Sequence, residues 1–161
     1  MDQSLGFTTP ADQPSISYRR LFKAEPELVF AAWTRPEHLR RWWGPRMFEL
    51  VVCEVDLRVG GRYRFVLRSP DGQEYTCAGE YREIEAPHRL VTTVTLDPRP
   101  ENESIETVTF AAVEGGTLVR ATSVHGSIAA RDAQSQDGMM ESGLTDHYLR
   151  LDDLLPSLPP G

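Results

Sequence analysis

Hydrophobic and polar residues alternate with a period of two along most of the chain, a pattern typical of strands with one buried face. The first such segment covers residues 15–23, and six more follow between Phe48 and Ala121. Turn signals separate them, including SPDG at 69–72 and the glycine pair at 115–116. The pattern predicts an antiparallel sheet of about seven strands.

Helical spacing appears after the first strand and again near the C-terminus. Pro26 and Pro36 each precede a short apolar stripe and stand where a missing N–H costs nothing, and Gly44-Pro45 ends the second stripe. A longer stripe recurs every three to four residues from Met140 to Leu155, where Pro156 ends it. We predict two short helices and one long terminal helix.

This element order predicts an α+β fold in which the sheet curves around the long helix. An antiparallel sheet must bury one face, and only the terminal stripe is long enough to cover it. Strands that diverge from the helix leave a gap, where we expect a ligand cavity. Residues 1–13 are polar and aperiodic and predict a flexible arm; 14–156 form a single domain, and 157–161 a tail.

Composition limits the function further. The chain has 161 residues, 40% hydrophobic and 25% charged, as expected for one globular domain. Its net charge is -7, and its sixteen Arg and single Lys are scattered, which argues against nucleic-acid binding. No secretory signal pattern and no run of about 18 apolar residues occurs, so we expect a cytoplasmic protein without membrane insertion.

The sequence contains no familiar catalytic or metal-binding motif. Cys53 and Cys77 lack the spacing of a zinc site, and no nucleophile elbow, phosphate loop or dinucleotide fingerprint occurs. Asp56 and Arg58, next to the glycine pair at 60–61, are interpreted as turn-stabilising residues. We therefore predict no metal and no cofactor.

Four segments, in order, resemble the family related to the activator of the heat-shock protein 90 ATPase. They are AEPELVFAAWTRPEHLRRWWGP, CEVDLRVGGRYRFVLRSPDGQEY, GEYREIEAPHRLV and GMMESGLTDHYLRLDDLL. The resemblance runs from about Ser15 to Leu155 and implies the helix-grip fold of the START-like, polyketide-cyclase-like (SRPBCC) superfamily. It also implies a mostly apolar cavity with the two short helices as a lid. The family often has Trp where this chain has Leu144, which predicts a wider cavity here.

Several candidate side chains have more than one interpretation. Trp42 and Trp43 follow Leu39 at i+3 and i+4, so one indole can fill the core while the other lines the cavity mouth. Simple packing or a dimer patch would also explain them. His147 on the terminal stripe is either a core residue or a group that orients a ligand or acts as a base.

The inward-facing tyrosines are either ligand anchors or core residues. The full set of cavity candidates shares apolar-face positions on the predicted elements. It consists of Trp33, Leu39, Trp42, Trp43, Tyr63, Phe65, Tyr75, Tyr81, Val94, Phe110, Met140, Leu144, His147 and Tyr148.

The sequence is compatible with three functions. The preferred hypothesis is that the cavity binds a small hydrophobic or aromatic molecule without catalysing a reaction. The second is a cyclase- or hydrolase-like enzyme that uses a cavity His and Tyr as acid and base. The third is a co-chaperone or stress-response module that binds protein through the lid, and a homodimer remains an option in each case.

Overall fold

A single eight-stranded antiparallel sheet and four helices form the computed structural model, which describes residues 6–96, 99–134 and 139–158. The sheet order is β1-β2-β8-β7-β6-β5-β4-β3. The strands are β1 (Gly6–Thr8), β2 (Ser15–Phe22), β3 (Glu49–Val55), β4 (Arg62–Arg68), β5 (Glu74–Glu85), β6 (Arg89–Leu96), β7 (Arg99–Val113) and β8 (Gly116–Val124). The helices are α1 (Pro26–Thr34), α2 (Pro36–Trp42), α3 (Ile128–Gln134) and α4 (Met139–Leu154), and a 3-10 turn, Leu155–Ser157, follows α4.

Proline and glycine set the ends of the two short helices. Pro26 and Pro36 occupy the first turns of α1 and α2, as predicted. Arg35 between them is extended, since the residue before a proline avoids the helical region. Helix α2 ends at Trp42, and Gly44 follows with a φ of 91°, a conformation that strongly favours glycine.

The sheet is curved, and α4 packs against its inner face. Tyr148 of α4 lies fully buried between Tyr18 and Phe22 of β2, with ring centroids 5.9 and 5.6 Å away. On the same helix, Asp152 accepts two hydrogen bonds from the buried Arg20 guanidinium, at 2.9 and 2.5 Å. One end of α4 is therefore fixed to β2 by an aromatic cluster and by a bidentate ion pair.

Two elements differ from the sequence predictions. Residues 1–13 were expected to form a flexible arm, but Gly6–Thr8 pair with β2 as an edge strand. Arg131 further donates to the Pro10 and Gln13 carbonyl groups. The polar stretch after His125 contains α3, a helix in addition to the three that the sequence predicts. A three-residue strand and a seven-residue helix are too short to show a period.

The predicted helix-grip architecture is otherwise confirmed, including the six strands between α2 and the terminal helix. The sheet has eight strands rather than about seven because β1 adds one at the edge. Within the described residues, no helix combines the length and the apolar character needed to cross a bilayer.

Candidate functional site

A cavity of about 210 Å³ lies between the inner face of the sheet and helices α2 and α4. Strands β4, β5, β6 and β7 form its floor, and side chains of α1, α2 and α4 form its roof. Eight of the described residues that line it are aromatic, and they are Tyr18, Trp33, Trp42, Trp43, Tyr63, Phe65, Tyr81 and Tyr148. The volume is below the range of about 300–1,000 Å³ typical of drug-sized ligands, so it suits a smaller molecule.

The three tryptophans have different environments at the roof of this cavity. Trp42 is completely buried, and its indole N–H donates to the Ala32 carbonyl oxygen at 2.9 Å. Trp33 stacks on Tyr148 with ring centroids 5.5 Å apart. Trp43 is only partly buried and packs on Phe65 at 4.8 Å. Trp42 is thus held by the core, whereas Trp43 retains exposed surface.

His147 is a buried neutral imidazole in the cavity wall. Its Nδ1 accepts a hydrogen bond from the Gly44 backbone N–H at 3.3 Å, which places the proton on Nε2. Burial, with a smaller effect from the charge of Arg150, lowers the pKa of His147 to about 3. Nε2 points away from Gly44 and has no hydrogen-bond partner within the described chain. It is a buried donor without an acceptor among the described residues.

The cavity tyrosines are neutral, and two of their hydroxyl protons are already engaged. Tyr63 donates to the Thr93 carbonyl oxygen at 2.7 Å, and Tyr148 donates to the Tyr18 hydroxyl at 3.0 Å. Burial raises the pKa of these three tyrosines and of Tyr81, the fourth in the cavity, well above the ordinary tyrosine value. They provide a polar but uncharged lining.

Among the described residues that line this cavity, Glu106 on β7 is the one carboxylic acid. It is mostly buried and makes no hydrogen bond or ion pair within the described chain. Burial alone raises the pKa of its carboxyl to about 7. At neutral pH a substantial fraction is therefore ionised inside a largely aromatic chamber.

The cavity brings together most of the side chains that the sequence singled out. Eleven of the fourteen candidates line it, and they are Trp33, Leu39, Trp42, Trp43, Tyr63, Phe65, Tyr81, Val94, Leu144, His147 and Tyr148. Tyr75 does not; it is 38% exposed and packs on Phe48 beyond the cavity. Phe110 packs on Phe30 at 5.4 Å beneath α1. The Met140 side chain lies outside the described part of the chain.

Sequence reasoning missed seven of the lining residues. These are Tyr18, Cys77, Leu90, Thr92, Leu96, Glu106 and Val108. The signal for Glu106 was present, because it shares strand parity with the buried Val108 and Phe110. A carboxylate at an inward-facing strand position is unusual enough to mark a site.

The segment after α2 is fastened to α4 rather than lying loosely over the cavity. Arg150 donates to the Gly44 carbonyl oxygen at 2.7 Å and to the Arg41 carbonyl oxygen at 3.1 Å. The Arg46 backbone N–H donates to Asp146 at 2.7 Å. Opening of this segment would break all of these bonds.

The curved sheet, the helix packed on its inner face and the cavity between them define a helix-grip protein. The family model for "Activator of Hsp90 ATPase homolog 1-like protein" matches residues 23–156, and the chain belongs to this family. Among curated proteins, none matches the chain.

Solved structures agree with this assignment. A Rhodobacter sphaeroides protein is 28% identical, with a TM-score of 0.88 over 96% of this chain and 100% of its own. An Arthrobacter aurescens protein is 25% identical, with a TM-score of 0.83 over 95% and 92% of the two chains. An AHSA1-like protein from Aeromonas hydrophila is also 25% identical, with a TM-score of 0.72 over 91% and 99%. The likeness extends over nearly the whole chain.

Proposed function

We propose that the protein binds a small hydrophobic or aromatic molecule in the cavity between the sheet and α4. The observation that carries this proposal is an aromatic-lined space of about 210 Å³ that the side chains leave unfilled. Protein interiors are close-packed, and a void of this size forfeits contact energy that a ligand would restore.

The few polar groups of the cavity support binding rather than acid–base catalysis by His147. An imidazole whose pKa is about 3 is a weak proton acceptor at neutral pH, since an effective general base titrates near the working pH. Its Nε2–H, however, is well suited to orient a ligand oxygen. A few fixed polar groups in an apolar wall are typical of ligand-binding pockets.

A neutral aromatic probe tests this function directly. Calorimetric titration with 1-naphthalenemethanol should give saturable binding with a Kd on the order of 10–100 µM, as expected for a molecule of this size. Leu144→Trp should abolish binding because Leu144 lines the cavity and the larger side chain fills it. Leu149→Trp is the matched control, since Leu149 is on the same helix but 46% exposed.

The two variants distinguish cavity binding from surface adsorption. Binding that survives Leu144→Trp unchanged would place the probe elsewhere and contradict the proposal. Absence of binding by the wild-type protein to this probe and to a panel of neutral bicyclic compounds would also overturn it.

A further inference from the structure

The unpaired carboxylate of Glu106 is unfavourable for folding, and binding of an apolar ligand would not explain why it is there. Burying a carboxylate without a partner is unfavourable, and proteins normally pair such groups or coordinate them to a metal. In the part of the chain that the structure describes, no Lys or Arg lines the cavity and no residue forms an ion pair with Glu106. An uncharged residue at position 106 would give a more stable folded state than this unpaired acid.

The groups around Glu106 are neutral and come from four different elements. Its electrostatic neighbours are Tyr18 on β2, Tyr63 on β4, Cys77 on β5 and Tyr148 on α4. Burial raises the pKa of the Cys77 thiol to about 12, and it raises the pKa of each tyrosine further. None of them therefore supplies a countercharge near neutral pH.

The aromatic rings that line the cavity complement the Glu106 carboxylate as a binding site for a cation. Rings attract a cation over their faces, and the attraction is strongest where water is excluded. Eight aromatic side chains share this cavity with one carboxylate, so an ammonium group would find both an ion-pair partner and π-faces. A neutral ligand would use the rings but leave the acid unpaired.

We propose that the natural ligand is a hydrophobic amine whose protonated nitrogen pairs with Glu106 while its apolar body contacts the aromatic lining. This inference rests on the proposed binding function and names the class of ligand. His147 Nε2–H adds a second point of recognition, because a hydroxyl or carbonyl oxygen on the ligand would satisfy that buried donor.

An isosteric pair of probes tests the charge requirement. At pH 8, 1-naphthylmethylamine should bind the wild-type protein at least tenfold more tightly than 1-naphthalenemethanol in calorimetric titrations. Glu106→Gln should remove this preference, so that the affinities for the amine and the alcohol in this variant differ by no more than about twofold. Glu103→Gln, the same substitution at an exposed position of β7, should keep it.

The outcomes separate this inference from the binding function itself. Equal affinities for amine and alcohol in the wild type would overturn the amine assignment while leaving the cavity-binding proposal intact. If neither probe binds, the binding function fails, and the amine assignment fails with it. An amine preference that persists in Glu106→Gln would also contradict the inference.

A measurement on the unaltered protein makes the test independent of the variant's folding. The Glu106 side-chain carboxyl can be followed by carbon-13 NMR across a pH titration, with and without saturating amine. Pairing with an ammonium should lower the carboxyl pKa by at least one unit. An unchanged titration in the presence of bound amine would refute the pairing.

Discussion

Replacing Glu106 with Gln should change how the stability of the protein depends on pH. The pKa of this carboxyl is about 7 in the folded chain against an ordinary value of 4.5, so folding favours the protonated form. Below pH 4.5 both states are protonated and the acid imposes no ionisation penalty. Between pH 4.5 and about 7 the unfolded chain loses this proton while the folded chain keeps it, so the folded state loses stability across this window and no more above it.

The size of this stability change follows from the difference between the pKa of the carboxyl in the folded chain and its ordinary value. Each pKa unit corresponds to about 1.4 kcal/mol, so the carboxyl should cost the folded state about 3 kcal/mol at pH 8 relative to pH 4.5. The advantage of Glu106→Gln over wild type should grow by this amount between the two pH values. Because the unfolding free energies at the two pH values are compared within each variant, any constant packing difference between Gln and the protonated acid cancels.

Urea unfolding followed by tryptophan fluorescence provides the assay, with Glu103→Gln as the exposed control. The control should follow the wild-type pH profile within a few tenths of a kcal/mol. If the difference in unfolding free energy between Glu106→Gln and wild type stays constant from pH 4.5 to pH 8, the carboxyl titrates normally in the folded protein and the prediction is wrong.

Three further predictions concern the residues that frame the cavity. The folded state should keep His147 neutral down to about pH 3, so its contribution to stability is present above pH 6.5 and is lost as pH falls; a proton NMR titration near 6.5 would contradict this. Trp42→Ala should lower the free energy of unfolding by about 3–5 kcal/mol and Trp43→Ala by about half as much or less, because only Trp42 is fully buried; equal losses in urea unfolding would show that the burial difference is unimportant. Asp152→Asn should cost about 2 kcal/mol by weakening the ion pair to buried Arg20, and thermal unfolding indistinguishable from wild type would contradict that role.

Strand periodicity predicted which side of the sheet a residue faces but not which end of the sheet it occupies. Tyr75 shares parity with Cys77 and Tyr81, yet it lies at the start of β5 and packs on Phe48 outside the cavity. Phe110 faces inward but sits beneath α1. Position along a strand depends on register and on where the helices cross, which alternation does not record.

Glu106 was not predicted as a cavity residue, and the physical reason is different. On the inner face of β7, the buried positions include Ser104 as well as Val108 and Phe110, so polar residues interrupt the apolar pattern. Glu106 lies between them, and its surroundings come from β2, β4, β5 and α4, elements distant in sequence. The starts of the short helices, by contrast, depend on local sequence. Pro26 and Pro36 act within their own turns, and the starts of α1 and α2 were predicted to the residue.

A crystal structure of the protein grown with saturating 1-naphthylmethylamine would show whether the amine occupies the cavity and pairs with Glu106. We expect density for the aromatic rings between α4 and strands β4 to β7, with the amine nitrogen within about 3 Å of a Glu106 carboxylate oxygen. Probe bound only on the outer surface, with the chamber beneath α4 containing no ligand, would contradict it.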